Sequence, residues 1–257
     1  MTIRPLARLS ALLLFALPMA AAPLAHAAPA PAKRAAAPAK TPATPAKAGD
    51  WANTVTQLPN GAFVLGNPAA KTTLVEYFSY TCPHCKAFAD EGMPTIKQSW
   101  VRSGTMKVEF RNWVRDPFDL VAALLARCGG QSRFLANHES IYASYEPWMD
   151  KAMPYSRAHP DIDDPKNYNA ATFADIAEKT GLTALLTRNG LTTPQINACL
   201  ADQKALATVL DLTAGSWDAV PDFPGTPTFL LNGKLVPNTA SWATLKGHLP
   251  PLPASAK

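Results

Sequence analysis

Four residues carry the most chemistry in this 257-residue chain: Cys82, Pro83, His84 and Cys85. They follow an apolar, β-branched run and open a helical stretch, so the motif sits where a strand becomes a helix. Pro83 suits the first helical position, where a missing N–H is no loss. Cys82 then falls at the N-cap, where free amides and the positive helix end favour a thiolate over a thiol. Its pKa should drop below the free value of about 8.5. His84 adds a donor, or a charge when protonated. Cys85 lies one turn inside, close enough to close a small disulfide and act as the resolving thiol. Whatever steadies the Cys82 thiolate steadies only the reduced pair, so a Cys82–Cys85 disulfide should be readily reduced and hence oxidising. A zinc site would need two more ligands at close spacing, and Cys128 and Cys199 are far off in the chain. No metal and no cofactor is expected.

The elements around the motif order themselves simply. Residues 61–65 make a short strand, residues 72–79 a buried one, residues 83–100 a helix and residues 106–113 a further strand parallel to the second. Residues 116–219 read as helical. Asp116 caps the first of these helices with Pro117 behind it, and Gly129-Gly130 stop it. A second runs over 131–145. Residues 146–170 hold four prolines and a cluster of acids and read as an irregular excursion. Thr193-Pro194 opens another helix, with Leu206, Val209, Leu210, Thr213 and Trp217 on one face. Residues 228–236 form a hairpin around Asn232-Gly233, and a short helix near 241–248 closes the domain. The order β-α-β, helices, β-β-α is an α/β sheet of thioredoxin type with a helical insertion.

The run V-E-Y-F-S-Y-T-C-P-H-C over residues 75–85 resembles the active-site segment of the DsbA-type thiol:disulfide oxidoreductases of the thioredoxin superfamily. The resemblance extends through F-L-A-N-H at 134–138 and G-T-P-T-F at 225–229, and covers about residues 60–248. It implies an envelope protein that donates its disulfide to reduced, unfolded, newly translocated chains and is reoxidised by a DsbB-like, quinone-linked membrane partner. Thr226-Pro227 matches the family's cis-proline loop, which lies beside the redox pair and binds substrate backbone. Threonine before this proline is more familiar in the disulfide isomerases of the wider family. Those bring a separate N-terminal dimerisation domain, where this chain has an Ala/Pro/Lys spacer. Isomerase or reductase is therefore the second enzymatic reading. A non-catalytic binding or holdase protein is a third, which two retained thiols argue against.

Glu76 is in phase with Leu74 and Phe78, a carboxyl on an apolar strand face whose pKa should be raised. It is similar to the buried acid that relays protons to the second cysteine in thioredoxin-like proteins; the alternative is an edge-strand ion pair. Cys128 and Cys199 each fall on the inner face of a helix and, in an oxidising compartment, are expected to pair as a structural disulfide rather than remain buried free thiols. His138, His159 and His248 read as packing or surface residues.

Charge and composition set the chain's address. There are 24 Lys+Arg against 19 Asp+Glu, and the pI is near 9.0. Six of the basic groups and one acid lie in residues 1–50, leaving eighteen of each sign beyond. The neutral remainder counts against nucleic-acid binding. Arg4 and Arg8, an apolar run and Ala25-His26-Ala27 read as a cleaved signal peptide over 1–27 and a periplasmic protein. Residues 28–50 read as a disordered spacer, residues 51–250 as the folded domain and 251–257 as a tail.

Overall fold

The computed structural model describes residues 51–252. The expected signal peptide, the spacer and the last five residues of the tail lie outside the described residues. Strands β1 (Val55–Gln57), β2 (Phe63–Gly66), β3 (Thr72–Phe78), β4 (Met106–Asn112), β5 (Thr228–Leu231) and β6 (Lys234–Leu235) form one sheet in the order β1-β2-β4-β3-β5-β6. Only β3 and β4 run parallel; the other neighbours are antiparallel. The parallel pair needs a crossover. It is supplied by α1 (Pro83–Glu91), α2 (Met93–Ile96) and a π-turn over Lys97–Val101. Asn232 and Gly233 at the β5–β6 turn both have positive φ, the tight hairpin geometry that Asn-Gly favours. This is the thioredoxin fold. Between β4 and β5 the chain inserts α3 (Pro117–Ala126), α4 (Gln131–Ala143), α5 (Tyr145–Ala158), α6 (Ala170–Thr180), α7 (Leu182–Arg188), α8 (Thr193–Leu200) and α9 (Gln203–Ala219). Helix α10 (Trp242–Leu245), capped by Ser241, closes the domain.

Central strand β3 divides the interior. Leu74 and Phe78 face the main core with Cys85 and Phe88, whereas Val75 and Tyr77 face a smaller cluster with Val220, Phe223 and Leu230. The two-residue repeat of a strand puts Glu76 on the Leu74–Phe78 face. Helix α3 is buried along its whole length, and Asp119, the one carboxyl within it, is bonded by the Tyr80 N–H. Its N-cap Asp116 accepts from the Asp119 N–H at 2.8 Å, with Pro117 behind it.

Several expected elements differ. The excursion over 146–170 is helix α5 as far as Ala158; only 159–169 is irregular, with one 3-10 turn at Pro165–Asn167. Pro147 lies in the first turn of α5, where the amide has no intrahelical acceptor to lose. Pro154 lies inside the helix, yet burial of Trp148 and Ala152, one turn apart, holds it together. The cap of α8 is Thr192, not Thr193, in a reciprocal capping box with Gln195. On α9 the buried face is Val209, Leu212 and Ser216; Leu210 and Trp217 are 42% and 52% exposed. The 83–100 helix breaks at Gly92, where a side chain would collide with the Phe88 ring.

Candidate active site

Two segments distant in sequence converge at the C-terminal end of β3. The strand leads through Ser79–Thr81 into Cys82, which stands at the N-cap of α1 with Pro83 at the first helical position. Residues 225–227 enter from the other side with the Thr226–Pro227 bond cis. The Cys82 thiol donates to the Thr226 carbonyl oxygen at 3.2 Å. Beside this loop lies a cavity of about 480 Å³, lined in part by Gly225, Pro227, Leu235 and Val236. Pro83 and His84 are exposed, while Cys82 and Cys85 are buried and not disulfide-bonded.

The two thiols are driven apart electrostatically. Cys82 is lowered from 9.0 to about 5, first by the hydrogen bond from the Cys85 thiol. The Thr226 side chain and the backbone amides of Cys85 and His84 add to this, and burial opposes it. Donors aimed at an anion favour the charged form, as at any helix N-terminus. Cys85 moves the other way: burial pushes its thiol well above the ordinary range, with its hydrogen bond to Cys82 and the charges of Cys82 and Glu76 adding to the effect. Glu76 lies opposite Phe110 on β4 and Phe229 on β5 and is 2% exposed. Burial and the Cys82 charge raise it from 4.5 to about 8. The site thus holds a ready nucleophile or leaving group at Cys82, a proton-retaining partner at Cys85, and an acid able to exchange a proton near neutrality.

Cys128 and Cys199 form a disulfide with Cα atoms 5.6 Å apart. It ties the region just past the end of α3 to α8, away from the Cys82–Cys85 pair. His138 packs in the core, its Nδ1 sharing a 2.9 Å hydrogen bond with the Tyr80 hydroxyl. Among the described residues no group of three or more His, Cys, Asp or Glu side chains could hold a metal ion.

Several residues around the site have no motif to mark them. Tyr142 donates to the Ser79 carbonyl and Tyr145 to the Thr81 carbonyl, each at 3.0 Å. The Thr81 hydroxyl donates to Asp116 at 2.6 Å, and Asp119 accepts the Tyr80 N–H at 2.8 Å. Burial and the Asp116 charge raise the pKa of Asp119. The only sequence signal among these was Asp116 before Pro117, which marks a helix cap and says nothing of a bond to the redox loop.

A Cys-x-x-Cys at a strand-to-helix junction, faced by a cis-proline loop, defines the class: a thioredoxin-fold protein with two neighbouring thiols at the end of its central strand. Comparison with known proteins agrees. The family model described as thioredoxin matches residues 59–249. A Rickettsia bellii protein named "Putative protein-disulfide oxidoreductase" is 30% identical over 171 residues, 66% of this chain and 56% of that protein. The chain spans about half the length of the curated relatives it matches. The crystal structure of a protein-disulfide isomerase from Novosphingobium aromaticivorans is 31% identical with a TM-score of 0.66, over 72% of this chain and 93% of that one. Wolbachia pipientis alpha-DsbA1, 21% identical over 77% of this chain and 93% of that one, shares the fold with a TM-score of 0.58. The chain belongs to the thioredoxin family, and it is similar to relatives named protein-disulfide oxidoreductase and protein-disulfide isomerase.

Proposed function

We propose that this protein is an exported dithiol oxidase that introduces disulfide bonds into newly translocated envelope proteins. The reading is carried by Cys82 at the N-cap of α1, its pKa lowered to about 5 by donors that favour the reduced pair and have no charge to reward once the disulfide forms. In the oxidised enzyme a substrate thiolate attacks the Cys82 sulfur, the Cys82–Cys85 bond breaks, and the electron pair leaves on Cys85. Cys85, with its raised pKa, takes up a proton, for which Glu76 is the nearby acid. A second substrate thiolate then attacks the substrate sulfur of the mixed disulfide and expels Cys82, a good leaving group because its thiolate is stable. The substrate loses two electrons and gains a disulfide; the enzyme becomes the dithiol. A DsbB-like membrane partner would return it to the oxidised state, and the neutral folded part suits reduced clients of either charge.

Stoichiometric oxidation of a reduced, unfolded substrate by the oxidised protein tests this. Wild type should consume one enzyme disulfide per bond formed, and Cys82→Ala should form none. Equal performance by the variant would sink the mechanism. A second reading, isomerase, is favoured by Thr226 before the cis proline and by the name given to the Novosphingobium relative. It predicts that the reduced protein refolds a scrambled-disulfide substrate faster than the oxidised protein oxidises a reduced one.

A further inference from the structure

The segment between β3 and Cys82 is held by hydrogen bonds that come largely from the helical insertion. Ser79 O accepts from the Cys82 N–H at 3.3 Å and from the Tyr142 hydroxyl. The Tyr80 N–H goes to Asp119, the Thr81 N–H to Ser79 Oγ at 3.2 Å, and the Thr81 carbonyl accepts from Tyr145. Buried backbone groups must find partners, and here the partners decide how the segment enters α1. One side chain joins the two parts of the fold most directly. The Thr81 hydroxyl, one residue before the nucleophile, donates to Asp116 Oδ2 while the other oxygen of that carboxylate caps α3. Ser79 Oγ lies 3.2 Å from the same hydroxyl. Asp116, beside Asp119, therefore fastens the segment before Cys82 to the first turn of the most buried helix of the insertion, and it does so through the Thr81 side chain.

We propose that Thr81 is a positioning residue for Cys82, and that its bond to Asp116 makes the insertion, not the thioredoxin sheet alone, set how oxidising the pair is. The thiolate gains from the His84 and Cys85 amides only while its sulfur faces the helix end. Cys82 holds that place from an extended backbone, with φ −87° and ψ 119°, and its own side chain makes no cap bond to fix it. Its N–H is tied to Ser79 O and its sulfur reaches the Thr226 carbonyl, so the backbone that carries it to the helix end is set by the segment Thr81 anchors. The proposal rests on the thiol-exchange reading of the pair but not on which client is served.

The test is Thr81→Val, which keeps shape and charge and loses only the hydroxyl, with Thr81→Ser as the rescue. Titration of the Cys82 thiolate by its ultraviolet absorbance and equilibration with glutathione read the pair without any client. Thr81→Val should raise the Cys82 pKa by about one unit and shift the glutathione equilibrium about tenfold against the reduced form, a potential about 30 mV more negative. Thr81→Ser should match wild type. Asp116→Ala adds a sign test. Removing a negative charge near a thiolate would by itself lower the pKa, whereas losing the fastening raises it, so a rise supports the proposal and a fall overturns it. Should Asp116→Ala not fold, Thr81→Val decides alone. A melting temperature lowered in Thr81→Val with both redox readouts unmoved would show a merely structural residue, as would a Thr81→Ser that fails to restore them. If wild-type Cys82 itself titrates at its ordinary value and does not exchange with glutathione, the functional reading fails before any variant is compared.

Discussion

Glu76 is the residue whose placement costs the fold most directly, because a carboxyl 2% exposed on an apolar strand face is held neutral. Its raised value fixes the sign of a pH effect. Below 4.5 the folded and unfolded chains both keep the proton, and the group contributes no pH dependence. Between 4.5 and about 8 the unfolded chain releases it and the folded chain does not, so stability falls with rising pH by about 1.4 kcal/mol per unit. Above about 8 both are ionised and the loss is complete. Glu76→Gln removes this term. The reduced variant should therefore be more stable than reduced wild type by a margin that opens through this window, read by urea unfolding at a series of pH values. A constant margin would mean that Glu76 ionises as freely in the fold as in the unfolded chain. In catalysis the same substitution should slow the steps in which Cys85 gains or loses a proton.

At the scale of elements, the insertion does two jobs at the two ends of α3: Asp116 and Asp119 reach the redox loop, and Cys128 is bound to Cys199 of α8. The bridge spans a sequence separation of 71. A loop of that length lowers unfolded-chain entropy by roughly 4 kcal/mol in the chain-entropy model, and measured losses commonly fall in a range of about 2–4 kcal/mol. Cys128→Ala with Cys199→Ala should lower unfolding free energy by that amount in guanidinium. An unchanged midpoint would show the bridge adds nothing to the fold. Elements with local signals were legible in the sequence: the strand–Cys-Pro–helix junction, the Asp116-Pro117 cap, the Asn-Gly hairpin. Helix α5 was not, because its prolines argue against helix locally while Trp148 and Ala152 hold it through contacts no local pattern reveals. The face of α9 slipped for a related reason. Leu210 and Trp217 continue an apolar spacing, but Trp217 packs edge-on against Trp113 and Phe223 at the surface instead of entering the core. The Thr81–Asp116 and Tyr80–Asp119 bonds join residues 35 and 39 apart, and nothing in either segment alone announces the other.

For the molecule as a whole, the pair of pKa shifts at Cys82 and Glu76 makes redox state and folding stability one problem. In the reduced protein the two act in opposite directions. Cys82, lowered from 9.0 to about 5, adds stability that is fully present above 9 and is lost as pH falls toward 5, at about 1.4 kcal/mol per unit. Glu76 loses stability across most of the same range as pH rises, so reduced wild type should show a shallow pH profile between about 5 and 8. The oxidised protein has no Cys82 thiolate but keeps the burial that dominates the Glu76 shift. Subtracting one redox form from the other therefore cancels most of the Glu76 contribution and leaves that of Cys82. The stability of the reduced form relative to the oxidised should rise by about 2 kcal/mol between pH 5 and pH 7 and keep rising toward 9. Guanidinium unfolding of the two forms side by side, with the oxidised form kept free of added thiol, measures the difference directly. A gap that does not change with pH would mean that Cys82 is not an anion in the folded protein. The pair would then have no electrostatic reason to give up its disulfide, and the oxidase reading would lose the observation on which it stands.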